Sequence, residues 1–278
     1  MPAKTLNIAG IPLKLGHGAS FLRADQRRGF LSSSGSSRIW KLDSLPLPES
    51  GNHYYSRILA AKIQKLKKRL RRFKGLPSHY LQGPVIIDTR RKQIRYFNTT
   101  GGNFFSGQLP AFAYSQLLAL SQGLLLHGAG IVRNNGAYLF LAVSGGGKST
   151  VARISRRYRA LSDDIVAVRK IKGKFLAFAT PWKQGACACL KSRDSAPVKA
   201  VFFLKKSRKA SFRPLRPEKA LSRILSTQLH FLFYTERPLV DKLFVTCADL
   251  MRSIPAYEME FRKDKDFWPE LTRKLYER

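Results

Sequence analysis

Apolar residues in this chain fall into short blocks separated by glycine, proline, asparagine and basic turns, and the period within each block predicts its element. Leu6 to Leu15 alternates in part and reads as a strand or a bent pair, and Ile39-Trp40-Lys41-Leu42 reads as a short strand. From Arg57 to Lys74 the period lengthens. Ile58, Leu59, Ile63, Leu66, Leu70 and Phe73 recur three and four apart, on one face of a helix that Gly75 and Pro77 end. Val85 to Asp88 and Gln93 to Phe97 read as two strands, and Ala111 to Gln122 as a buried helix. Leu124 to Val132 and Tyr138 to Val143 are paired strands around the turn Asn134-Asn135-Gly136. Further strands are expected at Ala160 to Ser162, Ile165 to Val168, Phe175 to Ala179 and Val198 to Leu204. A helix is expected over Glu218 to Leu232, and a last short strand at Leu243 to Thr246. No internal repeat is visible. The pattern predicts an α/β protein with a central mixed sheet in residues 106–278 and a smaller N-terminal α/β lobe in residues 1–105.

One junction in this pattern carries chemistry. The apolar run Ala137 to Val143 enters Ser144-Gly145-Gly146-Gly147-Lys148-Ser149-Thr150, and Val151-Ala152-Arg153-Ile154 leaves it in helical register. This is a P-loop in strand–loop–helix context. Three glycines without Cβ let the backbone curl and aim several N–H groups at one phosphate chain, and the helix start adds its positive end. Lys148 can reach the β- and γ-phosphates, and the Ser149 hydroxyl suits Mg²⁺. The motif G-x-x-x-x-G-K-[S/T] has Ala142 where its first glycine stands. The alternative is a glycine-rich turn that binds nothing.

Asp163-Asp164 follows the loop helix at the end of an apolar segment. A carboxylate there can hold Mg²⁺ beside Ser149, and a second can accept the proton of an attacking hydroxyl. Neighbouring side chains on an extended chain diverge, so one Asp faces the metal and the other the acceptor. Asp163 is assigned to the metal and Asp164 to the base; the alternative is a solvated turn. His127, before Gly128, is a further candidate because an imidazole can take and give a proton.

Charge extends the picture to partners. Fifty-one basic residues face 17 acidic ones in 278, a formal net charge of +34. Such a surface attracts polyanions: nucleotide phosphates, nucleic acid, anionic lipid or an acidic protein or peptide. The polar face of the 57–74 helix carries seven Lys and Arg (Lys62, Lys65, Lys67, Lys68, Arg69, Arg71, Arg72) and no acid, and Lys205-Lys206-Ser207-Arg208-Lys209 forms a second cluster. A solvated basic face is the plainer reading of the helix. No stretch has the length and apolarity of a membrane span, and the first twenty residues lack a signal peptide's apolar run, so a cytoplasmic protein is expected. Cys187, Cys189 and Cys247 are too few for a disulfide framework and lack zinc spacing.

Leu126-His127-Gly128-Ala129, the loop Ser144 to Thr150, and Leu161-Ser162-Asp163-Asp164 together resemble the catalytic region of HPr kinase/phosphorylase and its wider relatives. The resemblance is good from about Leu117 to Val168. It extends weakly through Thr180 to Gly185 and Val198 to Leu204, in the manner of the looser relatives rather than the regulatory enzyme. It implies a phosphoenolpyruvate-carboxykinase-like nucleotide fold and Mg-dependent transfer of a phosphoryl group from ATP or GTP to a hydroxyl. The acceptor would be serine, free or in a protein or peptide. It implies that Lys148 and Ser149 hold phosphates and Mg²⁺, that Asp163 and Asp164 divide metal and base duties, and that His127 assists beside the acceptor. A homo-oligomer is compatible with it. The regulatory enzyme carries a Glu- and Arg-containing signature after the Asp pair; here Trp182 to Arg193 has no acidic residue, which leaves Asp194 or Glu236 to supply such a contact. Two competing readings are a protein that only binds or hydrolyses ATP, and a polyanion-binding protein with a decayed kinase site.

Overall fold

The computed structural model describes residues 5–15, 31–32, 40–46, 79–82, 85–88, 93–98, 109–182, 194–207, 210–229, 237–263 and 266–276. The 57–74 helix, Cys187, Cys189 and Glu236 lie outside the described residues. Within them the chain is a mixed α/β protein with two sheets.

The first sheet has the order β3-β1-β2-β4-β7-β6-β5. Its strands are β1 (Thr5–Ile8), β2 (Ile11–Leu15), β3 (Leu31–Ser32), β4 (Trp40–Pro46), β5 (His79–Gln82), β6 (Val85–Asp88) and β7 (Gln93–Asn98). The bent pair expected at the N-terminus is a hairpin, β1 on β2, turning at Ala9-Gly10, both with positive φ. That turn docks on the second sheet's layer. Arg169 Nη1 donates to Ala9 O at 2.6 Å, and the Tyr114 hydroxyl donates to Ile8 O.

The second sheet follows α1 (Leu109–Leu120) and is built on two long strands, β8 (Gly123–Arg133) and β13 (Ser195–Lys206). The first half of β8 pairs with β11 (Ile165–Ile171), which leads through β12 (Lys174–Phe178) to the start of β13. The second half of β8 pairs with β9 (Gly136–Leu141) and with β10 (Arg159–Ser162). Strand β9 lies parallel to β13, which lies parallel to β15 (Ala256–Phe261), and β14 (Ser211–Leu215) forms the edge. The sheet is therefore mixed, with β9, β13 and β15 running the same way.

Alternation along these strands divides the core in two. Leu139, Leu141, Val201, Phe203 and Ala256 face α1 and α4 (Arg237–Ser253), in the larger cluster. Tyr138, Phe140, Ala200, Phe202, Tyr257, Met259 and Phe261 face the other way, with Val151 of α2 (Lys148–Ile154) and with Trp268 and Leu271 of α5 (Trp268–Tyr276). A short α3 (Pro217–Arg223) continues into a π-helical turn, Ile224–Gln228. The helix expected over Glu218 to Leu232 is thus shorter, and Leu229 forms a bridge to Leu126.

The strand expected at Leu243 to Thr246 is instead the middle of α4. Phe and a β-branched pair give that window a strand-like composition. Leu239, Leu243, Cys247, Leu250 and Met251, all buried, recur at helical spacing and decide the outcome. Burial pushes the Cys247 thiol up to about 12, so this cysteine is an inert core residue.

Candidate functional site

The register of three strands brings the motifs together. Gly128 of β8 pairs with Leu141, the last residue of β9, so His127 stands level with Ala142 where the glycine loop leaves the sheet. Ile165 of β11 pairs with His127, so the Ser162-Asp163-Asp164 bend arrives at the same place. Gly128 N donates to Asp164 O at 2.8 Å. A Cβ on Gly128 would stand 2.4 Å from the Leu141 side chain and 2.9 Å from Phe140 O, so this crossing requires glycine.

The loop from Ala142 to Gly147 joins β9 to α2. Val143, Ser144, Gly145 and Ser149 are exposed, and Gly146, Gly147 and Thr150 are partly so. Gly146 N donates to Val143 O at 2.9 Å, closing a tight turn. Gly147 has φ 108°, and its missing Cβ leaves room for the Phe261 ring, 2.6 Å from where that atom would sit. Both its conformation and its neighbour exclude a side chain.

Lys148 is the first residue of α2 and turns back under the loop. Its Nζ donates to Ala142 O at 3.1 Å and to Val143 O at 3.2 Å, and the residue is buried. Burial holds the ammonium below the ordinary lysine range, and the Asp164 carboxylate is close enough to offset part of that shift.

Asp163 and Asp164 form a bend between β10 and β11 rather than an extended segment, and they differ in exposure. Asp163 is 1% exposed, whereas the Asp164 side chain is 17% exposed and its Oδ1 lies 3.2 Å from His127 Nε2. The structure thus sets Lys148, Asp164 and His127 in one neighbourhood; the adjacent Asp163 is buried and Ser149 is exposed. Asp194, considered as a supplementary carboxylate, is engaged elsewhere: its Oδ1 accepts from Arg159 Nη1 at 3.0 Å.

Two contacts of this site have no signal in the sequence pattern, that of Phe261 with Gly147 and that of the Ser162 hydroxyl with Trp182 O. Phe261 under Gly147 leaves no signal, because the two are far apart in the chain. Ser162, whose hydroxyl accepts from Asp164 N and Ile165 N, is a common residue before a turn. The basic pair Lys205-Lys206 runs past the Phe203–Leu141 register pair, at the sheet end where the glycine loop emerges. There Lys205 Nζ lies 2.8 Å from Glu260 Oε1 and Lys206 is exposed.

Fold and site together define a mixed α/β protein in which a glycine-rich strand–helix turn, a buried lysine and a His–Asp pair meet at the end of the parallel strands. A family model described as SynChlorMet cassette protein ScmC matches residues 110–276, and the chain belongs to that family. The match begins at α1 and covers the second sheet and its helices. A solved HPr(Ser) kinase/phosphatase from Coxiella burnetii is similar at 11% identity over 55% of this chain and 93% of that one, with a TM-score of 0.28. Superposition at that level carries no residue role across. No curated protein matches the chain.

Proposed function

We propose that this protein is a Mg-dependent nucleotide phosphotransferase that phosphorylates a hydroxyl, that of a serine in a protein or peptide. The observation that supports this most is the meeting of Lys148, Asp164 and His127 beside an exposed glycine loop, from three separate parts of the chain. In this reading Ser144 to Thr150 form a P-loop whose backbone N–H groups hold the β- and γ-phosphates of ATP or GTP. Lys148 exchanges its two carbonyl contacts for phosphate oxygens, each such charge-assisted contact being worth about 1.5–3 kcal/mol.

Hard oxygen donors are what Mg²⁺ takes, and it is commonly held by one or two protein groups plus phosphates and water. Among the described residues no cluster of three or more His, Cys, Asp or Glu forms a cage. The Ser149 hydroxyl and the Asp163 carboxylate fit the sparser arrangement, and they would hold the ion. When bound, Mg²⁺ neutralises phosphate charge. Asp164 orients the acceptor hydroxyl and takes its proton as the new O–P bond forms and the bond to the nucleoside diphosphate breaks. His127 steadies the Asp164 carboxylate and shares that proton.

The acceptor is proposed to be an acidic protein or peptide, because Lys205 and Lys206 stand at the loop end of the sheet. Intact-mass measurement of candidate peptides incubated with protein, ATP and Mg²⁺ tests the reading. A gain of one phosphoryl group, absent with Lys148→Ala, is the expected result. ATP turnover with no phosphorylated product would support a hydrolase instead. Salt-dependent polyanion binding indifferent to Lys148→Ala, with no turnover, would support a decayed site.

A further inference from the structure

We propose that the hydroxyls of Ser162 and Thr180 are positioning groups for the carboxylate bend, setting Asp164 toward His127 and keeping Asp163 inside. This rests on the phosphotransferase reading above. Both residues are fully buried. Ser162 Oγ accepts from Asp164 N at 3.2 Å and from Ile165 N at 3.1 Å, and donates to Trp182 O at 3.3 Å. A serine hydroxyl has one proton and two lone pairs, so this arrangement uses all of its capacity. Thr180 Oγ1 donates to Ile165 O, and Gly128 N donates to Asp164 O. Four successive backbone groups, from Asp164 N to Ile165 O, are therefore fixed, two of them by Ser162 alone.

The consequence lies in the side chains. Asp163 and Asp164 share one bend between two strands, with one carboxylate buried and the other partly exposed, so a rotation of that bend would change which of them is presented. Asp164 would then leave His127 and Lys148. The anchor for the clamp is itself held: the Trp182 ring packs against Tyr114 with centroids 5.4 Å apart, and Tyr114 is hooked to the N-terminal hairpin at Ile8. Small misplacements of a general base are costly to a chemical step and cheap to ground-state binding.

The test is steady-state turnover of Mg·ATP in the presence of an acidic serine peptide, read as ADP formation, for the parent, Ser162→Ala, Ser162→Thr, Thr180→Val and Lys148→Ala, with thermal unfolding of each. Ser162→Ala is expected to unfold cooperatively and to lose about tenfold or more in kcat while KM for ATP stays within about threefold. Ser162→Thr, which keeps the hydroxyl, should recover most of the loss. Thr180→Val should show the same kcat-only pattern more weakly, and it decides the question if Ser162→Ala does not fold. Inactive Lys148→Ala beside hydroxyl variants with the parent's kcat would overturn this inference and leave the phosphotransferase reading intact. If Lys148→Ala turns over ATP like the parent, or the parent shows no turnover, the reading fails and the inference falls with it.

Discussion

At the scale of the residue, the site holds its own instability. Lys148 keeps an ammonium in a buried position against two backbone carbonyls, and burial lowers its affinity for a proton. Such a group does little for the fold, so Lys148→Met should abolish nucleotide-dependent activity with the melting temperature unchanged or raised. The pH dependence has a definite sign. Between the lowered folded value and the ordinary lysine value near ~10.4, the unfolded chain binds more protons at this group, so its contribution to stability rises with pH. Urea midpoints compared between parent and Lys148→Met should therefore converge or cross in the parent's favour as pH rises through that window. A gap that widens against the parent would contradict the assignment. Gly147 is the loop's other fixed point. With φ 108° and the Phe261 ring beneath it, Gly147→Ala should destabilise by roughly 1–3 kcal/mol in denaturant titration and weaken nucleotide binding with it.

Among elements, α5 and α2 carry the loop's support. Trp268 is fully buried, meets Tyr138 edge-on at 5.6 Å, and its Nε1 donates to Ser155 Oγ at 2.8 Å, at the C-terminal end of α2. Trp268→Phe keeps an aromatic ring but leaves the buried Ser155 hydroxyl without that donor. Chemical denaturation should register a loss of about 1–3 kcal/mol. Elements such as β8 and β9 were legible in the sequence because an uninterrupted apolar block met Asn134-Asn135-Gly136. The structure places positive φ at Asn134 and Asn135, which that sequence tolerates. The glycine loop was legible because its residues do their work within a few positions of each other. Strand β15 does carry a strand signal, Tyr257, Met259 and Phe261 alternating with Glu258 and Glu260, which the block-by-block reading omits, and α5 offers only nine residues. Those glutamates are answered only across space, by Arg223 and Lys205. The Ser162 bonds to Asp164 N and Ile165 N are local, as suits a serine before a turn; the contacts with Trp182 and Gly128 that complete the bend come from elsewhere in the chain, and no local pattern contains them.

For the whole molecule, the two core clusters put the site where the parallel strands β9, β13 and β15 end, between an aromatic layer and a helical one. That end also carries Lys205 and Lys206, two of the basic residues behind the +34 excess. Lys205 is partly answered by Glu260, so Lys206 should contribute more to recognition. Replacing both by Gln should raise the apparent KM for an acidic acceptor a few-fold at low salt and flatten its salt dependence. kcat should change little, because such charges act on encounter within a Debye length of about 8 Å at physiological salt. Unchanged acceptor kinetics would return this pair to the solvated surface. The functional expectations descend from one claim, that the loop from Ser144 to Thr150 with Lys148 binds Mg·nucleotide. Titration calorimetry of ATP with Mg²⁺ into the parent and into folded Lys148→Ala tests it most directly. Saturable one-to-one binding by the parent, weakened at least tenfold in the variant, is the predicted result. No binding by the parent, or equal binding by both proteins, would contradict it.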